Sequence, residues 1–400
     1  MHLARRGGEF GFTVHGDVLV DMRRVKARKD EISERSNRGV EERLRGLKNC
    51  SVIQGHARFQ SPRTVVVNDE VLEAPKIFIN VGGRARVPEF SGVHDVPFFT
   101  NSSMVDVDFL PEHLVIVGGS YVGLEFGQMY RRFGSEVTIV EMGPRLIGCE
   151  DEDVSDTVRK IVEREGIRVR LNATCISLSK RDNGVVVATK CNDGPLDIPG
   201  THVLLAVGRT PNTHDLSLES AGVSMDDHGH ILVDDQLQTN VPGIWALGDC
   251  NGRGGFTHTA YNDHEIVADN LLNADHRRVS DRIQTYALYI DPPLGRCGMT
   301  VAEVRQRGRS ALAVKHPMSK VSRAIENGET QGFIKICVDA ETKEILGATI
   351  LGTGGDEVVQ VLLDAMYAKT PYTVVERAMH IHPTVAEFLP TILSKLEPMT

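Results

Sequence analysis

The sequence is short of paired cysteines, aromatic residues, long apolar runs and concentrated positive charge, and each shortage argues against a class of protein. Seven cysteines stand at positions 50, 149, 175, 191, 250, 297 and 337. Their number is odd, their gaps are wide, and neither C-x-x-C nor C-x4-C occurs. That pattern argues against a disulfide framework or a zinc site and fits isolated reduced thiols in a cytoplasmic protein. No apolar run reaches the roughly 18 residues that a membrane-crossing helix needs. Residues 1–16 carry Arg5, Arg6 and Glu9 without an apolar stretch, so no secretory leader is expected there. Lys and Arg total 45 against 54 Asp and Glu, a net charge of −9 with both signs mixed along the chain. A phosphate-binding surface needs clustered positive charge, so nucleic acid is not expected as a partner. Neither solenoid repeats nor low-complexity segments are visible.

What is present fits a soluble globular chain: 400 residues, 41% hydrophobic and 25% charged. At roughly 150 residues per domain this length suggests two to four domains. Residues 17–50 are charged and helix-compatible, with Val18, Met22 and Val25 at helical spacing. Short β-type runs follow at 52–53, 64–67 and 76–81, the last leading into Gly82-Gly83. From about 113 a buried-strand run (114–117) meets a glycine-rich turn, a helix and a second run (137–140), a βαβ unit that argues for parallel sheet. Turn-rich sequence over 239–275 ends in a helix. Strand-like pieces at 285–290, 332–338 and 345–351 then precede a helix over 356–368.

The turn of that βαβ unit, Gly118-Gly119-Ser120-Tyr121-Val122-Gly123, is the strongest local signal. It follows an apolar strand and opens a helix, the context in which such glycines mean a dinucleotide site. Gly118 permits the tight turn, and Gly123 lets the helix pack close to the strand. Outward-pointing amides and the helix dipole favour a pyrophosphate there. Ser120 occupies the middle position, where glycine is usual. Glu141, 23 residues after Gly118, ends the second strand. A carboxylate there accepts ribose hydroxyls and repels the extra phosphate of NADP, so NAD is favoured, with NADP possible because Arg145 lies close.

Three further segments stand out. Asp249 follows a strand and Gly248, placed either to accept a sugar or ribityl hydroxyl or simply to close a turn. Residues 204–212, with Gly208, Arg209, Pro211 and Asn212, read as a strand entering a loop. Near the C-terminus, Pro383 is expected to open a helix that brings Glu387 one turn on, near His382. A carboxylate on one ring nitrogen fixes the tautomer and leaves the other for proton transfer; the bland alternative is a structural hydrogen bond. His380 and His382 lack a third ligand at helical spacing, so no metal is expected.

Taken in order, strand-Gly-Gly-x-Tyr-x-Gly-x-Glu, Val-Gly-Arg-x-Pro-Asn, Trp-Ala-Leu-Gly-Asp and His-Pro-Thr-x-x-Glu resemble the flavin-dependent pyridine nucleotide–disulfide oxidoreductases, the group of dihydrolipoamide dehydrogenase, glutathione reductase and mercuric reductase. The resemblance implies hydride transfer from NAD(P)H to FAD and on to a disulfide or related acceptor. It implies that Gly118, Gly119, Ser120, Gly123 and Glu141 bind NAD, and that Gly82, Gly208 and Asp249 belong to cofactor-binding segments, Asp249 facing FAD. It also implies that Tyr121 covers the flavin ring until nicotinamide displaces it, and that Glu125 pairs with a lysine beside the flavin. His382 and Glu387 would form an acid–base pair reaching across a homodimer.

The family's opening FAD turn, its C-x4-C pair and the following Pro-Thr-Lys do not occur in the sequence. The expected architecture is therefore α/β: an N-terminally truncated FAD domain (1–105 with 239–280), an NAD(P)-binding domain (106–238), both Rossmann-like, and an α+β dimerisation domain (281–400). Two alternatives stay open: a truncated, non-catalytic nucleotide-binding relative, and a flavin diaphorase working without a redox disulfide.

Overall fold

The computed structural model describes residues 1–182, 184–191 and 194–399. Contacts divide the chain into two compact units: Met1–Met22 with Val87–Val207 and Ile283–Thr400, and Arg23–Arg86 with Gly208–Arg282. The first unit is built around a parallel sheet. Its strands are β1 (His113–Val117), β2 (Glu136–Val140), β3 (Arg168–Arg170) and β4 (His202–Leu205), in the order β4-β1-β2-β3. Helices α1 (Tyr121–Phe133) and α2 (Glu152–Arg164) make the crossovers.

Leu114 to Val117 are all buried because β1 is covered on both faces. Successive side chains of a strand point to opposite sides. Leu114 and Ile116 accordingly join the cluster holding Leu124 and Tyr130 of α1. Val115 and Val117 join another with Leu178, Val187 and Ile198 from the antiparallel sheet Thr174–Arg181, Gly184–Cys191 and Gly194–Gly200. A strand buried on both faces reads as the continuous apolar run seen in the sequence.

The same unit contains an antiparallel sheet: β5 (Thr285–Leu288), β6 (Leu294–Gly298), β7 (Ala311–Pro317), β8 (Phe333–Asp339), β9 (Ile345–Leu351) and β10 (Glu397–Pro398), ordered β5-β6-β9-β8-β7-β10. The helix α3 (Gly355–Tyr367) packs on β6 and β9. Strands β6 and β7 were not expected from sequence. In β6 glycine interrupts the β-type pattern, and four of its five residues are nevertheless buried between paired neighbours.

The second unit holds the helix Met22–Arg45 from Arg23 onward and a three-stranded meander, Ala57–Ser61, Thr64–Val67 and Glu70–Glu73. Two strand pairs accompany them: Ile77–Ile79 parallel to Ile244–Ala246, and Gly83–Ala85 antiparallel to Arg209–Pro211. Residues 52–53 lie outside any strand, and the first strand starts at Ala57. Residues 208–238 were placed with the NAD(P) domain from sequence but pack in this unit. Leu216 and Leu218 share a cluster with Phe59 and Ile79, and the Phe59 amide donates to the Leu216 carbonyl. No helix among the described residues is long and apolar enough to cross a membrane.

Candidate functional site

The glycine turn is pinned where it leaves the strand, from the strands on both sides. The Gly118 amide donates to the Val140 carbonyl at 2.8 Å, and the Ala206 amide to the Val117 carbonyl at 2.7 Å. Gly118 has φ +114°, and a Cβ there would run into the Ala206 carbonyl, so only glycine serves. A Cβ on Gly123 would strike the Gly118 carbonyl, which is how closely α1 approaches the strand it follows. Ser120 fits because its φ is −104°, open to any residue, and its side chain makes no cap bond to the helix amides.

Glu141 lies just past β2 and folds back onto this turn. One carboxylate oxygen accepts the Gly119 amide at 2.6 Å and the other the Gly143 amide at 2.7 Å. A carboxylate has about four lone-pair sites, so each oxygen keeps acceptor capacity for a ribose hydroxyl. Arg145 is spent within its own loop, donating to the Gly148 carbonyl at 3.3 Å.

Tyr121 opens α1 directly after the turn. Its hydroxyl lies 3.4 Å from the Cys149 Sγ, and its ring meets Tyr286 edge-on at 5.5 Å. Tyr286 in turn donates to Glu150 at 2.5 Å. One turn along α1, Glu125 accepts the Tyr289 amide at 2.9 Å. Burial raises the Glu125 pKa above the usual carboxylate range, partly offset by that amide.

In the second unit the ladder between Gly83–Ala85 and Arg209–Pro211 gathers the other expected residues. The Arg209 guanidinium donates to the Asp249 carboxylate at 3.0 Å and to the Gly83 carbonyl at 2.6 Å. The Gly208 carbonyl accepts the Arg86 amide, and the Gly82 carbonyl accepts the Asn212 amide. Both glycines have positive φ.

Glu387 bonds His382 Nδ1 at 2.8 and 3.1 Å. The helix expected to begin at Pro383 begins instead at Phe388, and the pair is made through a turn. Thr384 Oγ1 donates to the Ile381 carbonyl and accepts the Glu387 amide, curling the chain so the carboxylate faces the ring. His382 is exposed, with Met379 and Ile381 98% and 80% exposed beside it, forming an apolar rim.

The sequence reading thus maps onto three clusters: the turn with Glu141 and Tyr121, the Gly82–Gly208–Asp249 group, and the His382–Glu387 pair. It missed Arg209 as the partner of Asp249, and Cys149, Glu150 and Tyr286 around Tyr121. Arg209 was signalled by its place beside Gly208. Nothing local signals Tyr286, 136 positions from Glu150. Burial pushes the thiols of Cys250 and Cys337 up to about 11 and that of Cys297 to about 12, so these stay protonated. Cys50, Cys149 and Cys175 are exposed and unpaired.

A strand–glycine turn–helix with an acid folded onto it, in one unit with a sheet domain bearing an exposed His–Glu pair, has the architecture of a nucleotide-dependent oxidoreductase. The family model described as pyridine nucleotide-disulphide oxidoreductase matches residues 11–263, and that for its dimerisation domain matches 285–392. The chain belongs to the pyridine nucleotide-disulphide oxidoreductases, the flavoprotein disulfide reductases. It is 32% identical over 380 residues to the probable pyridine nucleotide-disulfide oxidoreductase RclA of Escherichia coli, covering 94% of this chain and 85% of that one. It is 31% identical over 385 residues to the dihydrolipoyl dehydrogenase of Thermus scotoductus, covering 96% and 83%. The solved structure of the HOCl-induced flavoprotein disulfide reductase RclA from Escherichia coli superposes with a TM-score of 0.88 at 32% identity, over 94% of this chain and 86% of that one.

Proposed function

We propose that this chain is an NAD(H)-preferring oxidoreductase of the disulfide-reductase type that draws reducing equivalents from the nicotinamide and passes them toward a disulfide or related acceptor. The observation that carries the reading is the Glu141 carboxylate held by two backbone amides under the glycine turn. It is fixed before ligand arrives, so ribose binding needs no reordering of its side chain. The same charge opposes a phosphate on that ribose.

A flavin, when bound, supplies the two-electron chemistry between nicotinamide and acceptor. The residues present fit one end of a flavin dinucleotide: Asp249, steadied by Arg209 beside Gly82 and Gly83, offers a carboxylate to a ribityl hydroxyl. A second strand–glycine–helix turn for the flavin's pyrophosphate does not occur in the sequence, so the fit is to that end alone. His382, with Nδ1 held by Glu387, presents Nε2 to give or take a proton. In this reading the exposed ring serves the active site of a second copy in a homodimer.

Glu141→Ala is expected to weaken NADH binding roughly 10- to 100-fold, the worth of charge-assisted hydrogen bonds, while NADPH loses less because the repulsion goes too. Isothermal titration with both nucleotides checks this; equal losses would contradict the NAD preference. For the activity itself, visible absorption of the purified protein is recorded before and after anaerobic NADH. Bound flavin that bleaches supports the oxidoreductase; a featureless spectrum with NADH still bound points instead to a nucleotide-binding relative.

A further inference from the structure

A dinucleotide with its pyrophosphate on Gly118–Ser120 and a ribose on Glu141 must run its other half along the first turn of α1, where Tyr121 stands. Tyr121 is not free to move there. Its hydroxyl bonds that of Tyr286 and lies 3.4 Å from Cys149 Sγ, and the two tyrosine rings meet at 85°. Tyr286 sits on β5, in the dimerisation sheet, and is itself anchored by donating to Glu150. Glu150 is 1% exposed and lies 4.0 Å from the guanidinium of Arg296, which donates to Thr349 Oγ1; both of these are buried too. A chain of polar contacts therefore runs from the interior of that sheet to an aromatic ring beside the glycine turn.

We propose that Tyr286, backed by Glu150 and assisted by Cys149, is a positioning residue that latches Tyr121 over the nicotinamide end of the nucleotide site. The latch makes nicotinamide binding weaker than the pocket's intrinsic affinity, because only the fraction of molecules with Tyr121 released can accept the ring. The adenosine half, bound at Glu141 and the turn, does not meet the latch. This inference rests on the nucleotide reading of the turn given above.

The test compares NADH with ADP-ribose, which lacks the nicotinamide, by isothermal titration on the full chain. In Tyr286→Phe, NADH is expected to bind roughly threefold to tenfold more tightly, the worth of about one net hydrogen bond, with ADP-ribose unchanged. Cys149→Ala, at an exposed position that endangers folding little, shifts NADH the same way by less. An NADH to ADP-ribose ratio that stays put in both variants, or NADH binding that weakens against constant ADP-ribose, overturns the latch while leaving the nucleotide site intact. Should Tyr286→Phe fail to fold, Cys149→Ala decides alone. If neither ligand binds the unaltered protein, the nucleotide reading fails and the latch falls with it.

Discussion

Lys335→Met is expected to destabilise the first unit by about 3 kcal/mol, the lower end of what breaking a buried ion pair costs. Lys335 lies on β8 directly opposite Lys315 on β7, two like charges that should repel. Both are neutralised from the N-terminus of α2, by its cap Asp151 and by Asp153. Lys335 Nζ donates to Asp151 and Asp153 at 2.7 Å each, and Lys315 Nζ to Asp153 at 2.7 Å. Asp151 also accepts the Val301 and Ala302 amides at 3.1 Å, capping the short helix Val301–Gln306. Removing the ammonium leaves Asp151 buried without its cation, while Asp153 keeps Lys315, which is why the loss falls at the lower end.

The pH dependence follows from the same groups. Burial alone would raise both carboxyl pKa values, but the bonds and charge of Lys335, joined for Asp153 by Lys315, bring them below 3.8. A depressed folded-state value contributes stability above the unfolded pKa that is lost as pH falls through the folded one. The wild type should thus lose this contribution only below about pH 4, and the stability gap between it and the variant, which lacks the contribution, should narrow there. Chemical denaturation followed by circular dichroism across an acid series checks both; a stability difference that stays constant through the acid limb would contradict the assignment.

The second large effect is at Gly118. Gly118→Ala should lower stability by about 3 kcal/mol and reduce NADH affinity by more than any other single alanine in the turn. An L-residue at φ +114° carries strain of roughly 1–3 kcal/mol, and here the added methyl also meets the Ala206 carbonyl. That carbonyl cannot retreat easily, because the Ala206 amide is tied to Val117 at the end of β1. Relief must come from the turn itself, which would carry Gly119 away from Glu141. Thermal melts and NADH titration read the two consequences separately. Ser120→Ala, at a φ any residue adopts, is the control and should leave the melt unchanged.

The parts legible in the sequence were those whose physics is local. The run 114–117, its glycines and the acid at Glu141 fall within one βαβ unit, so periodicity and turn chemistry fixed their places. Strand β6 was invisible because its sequence, Leu294-Gly-Arg-Cys-Gly298, lacks strand formers; pairing with β5 and β9 makes it a strand. That residues 208–238 group with Arg23–Arg86 was not legible, because Arg209–Pro211 pairs with Gly83–Ala85, far away in the chain. The His382–Glu387 contact was foreseen and its geometry was not, since a Thr384 turn achieves what a helix was expected to do. The surroundings of Tyr121 depend on residues from three separate stretches, and no pattern within one stretch reports them.

Strand β1 belongs to two interiors at once, its alternate side chains locked into separate clusters. A fluctuation that loosens one layer still leaves the other gripping the strand. Slow amide exchange at Leu114 through Val117 should therefore outlast that of either flanking layer, and the glycine turn at its tip inherits this rigidity. The ordering that a mobile loop would surrender on meeting the proposed nucleotide has here been completed once, during folding.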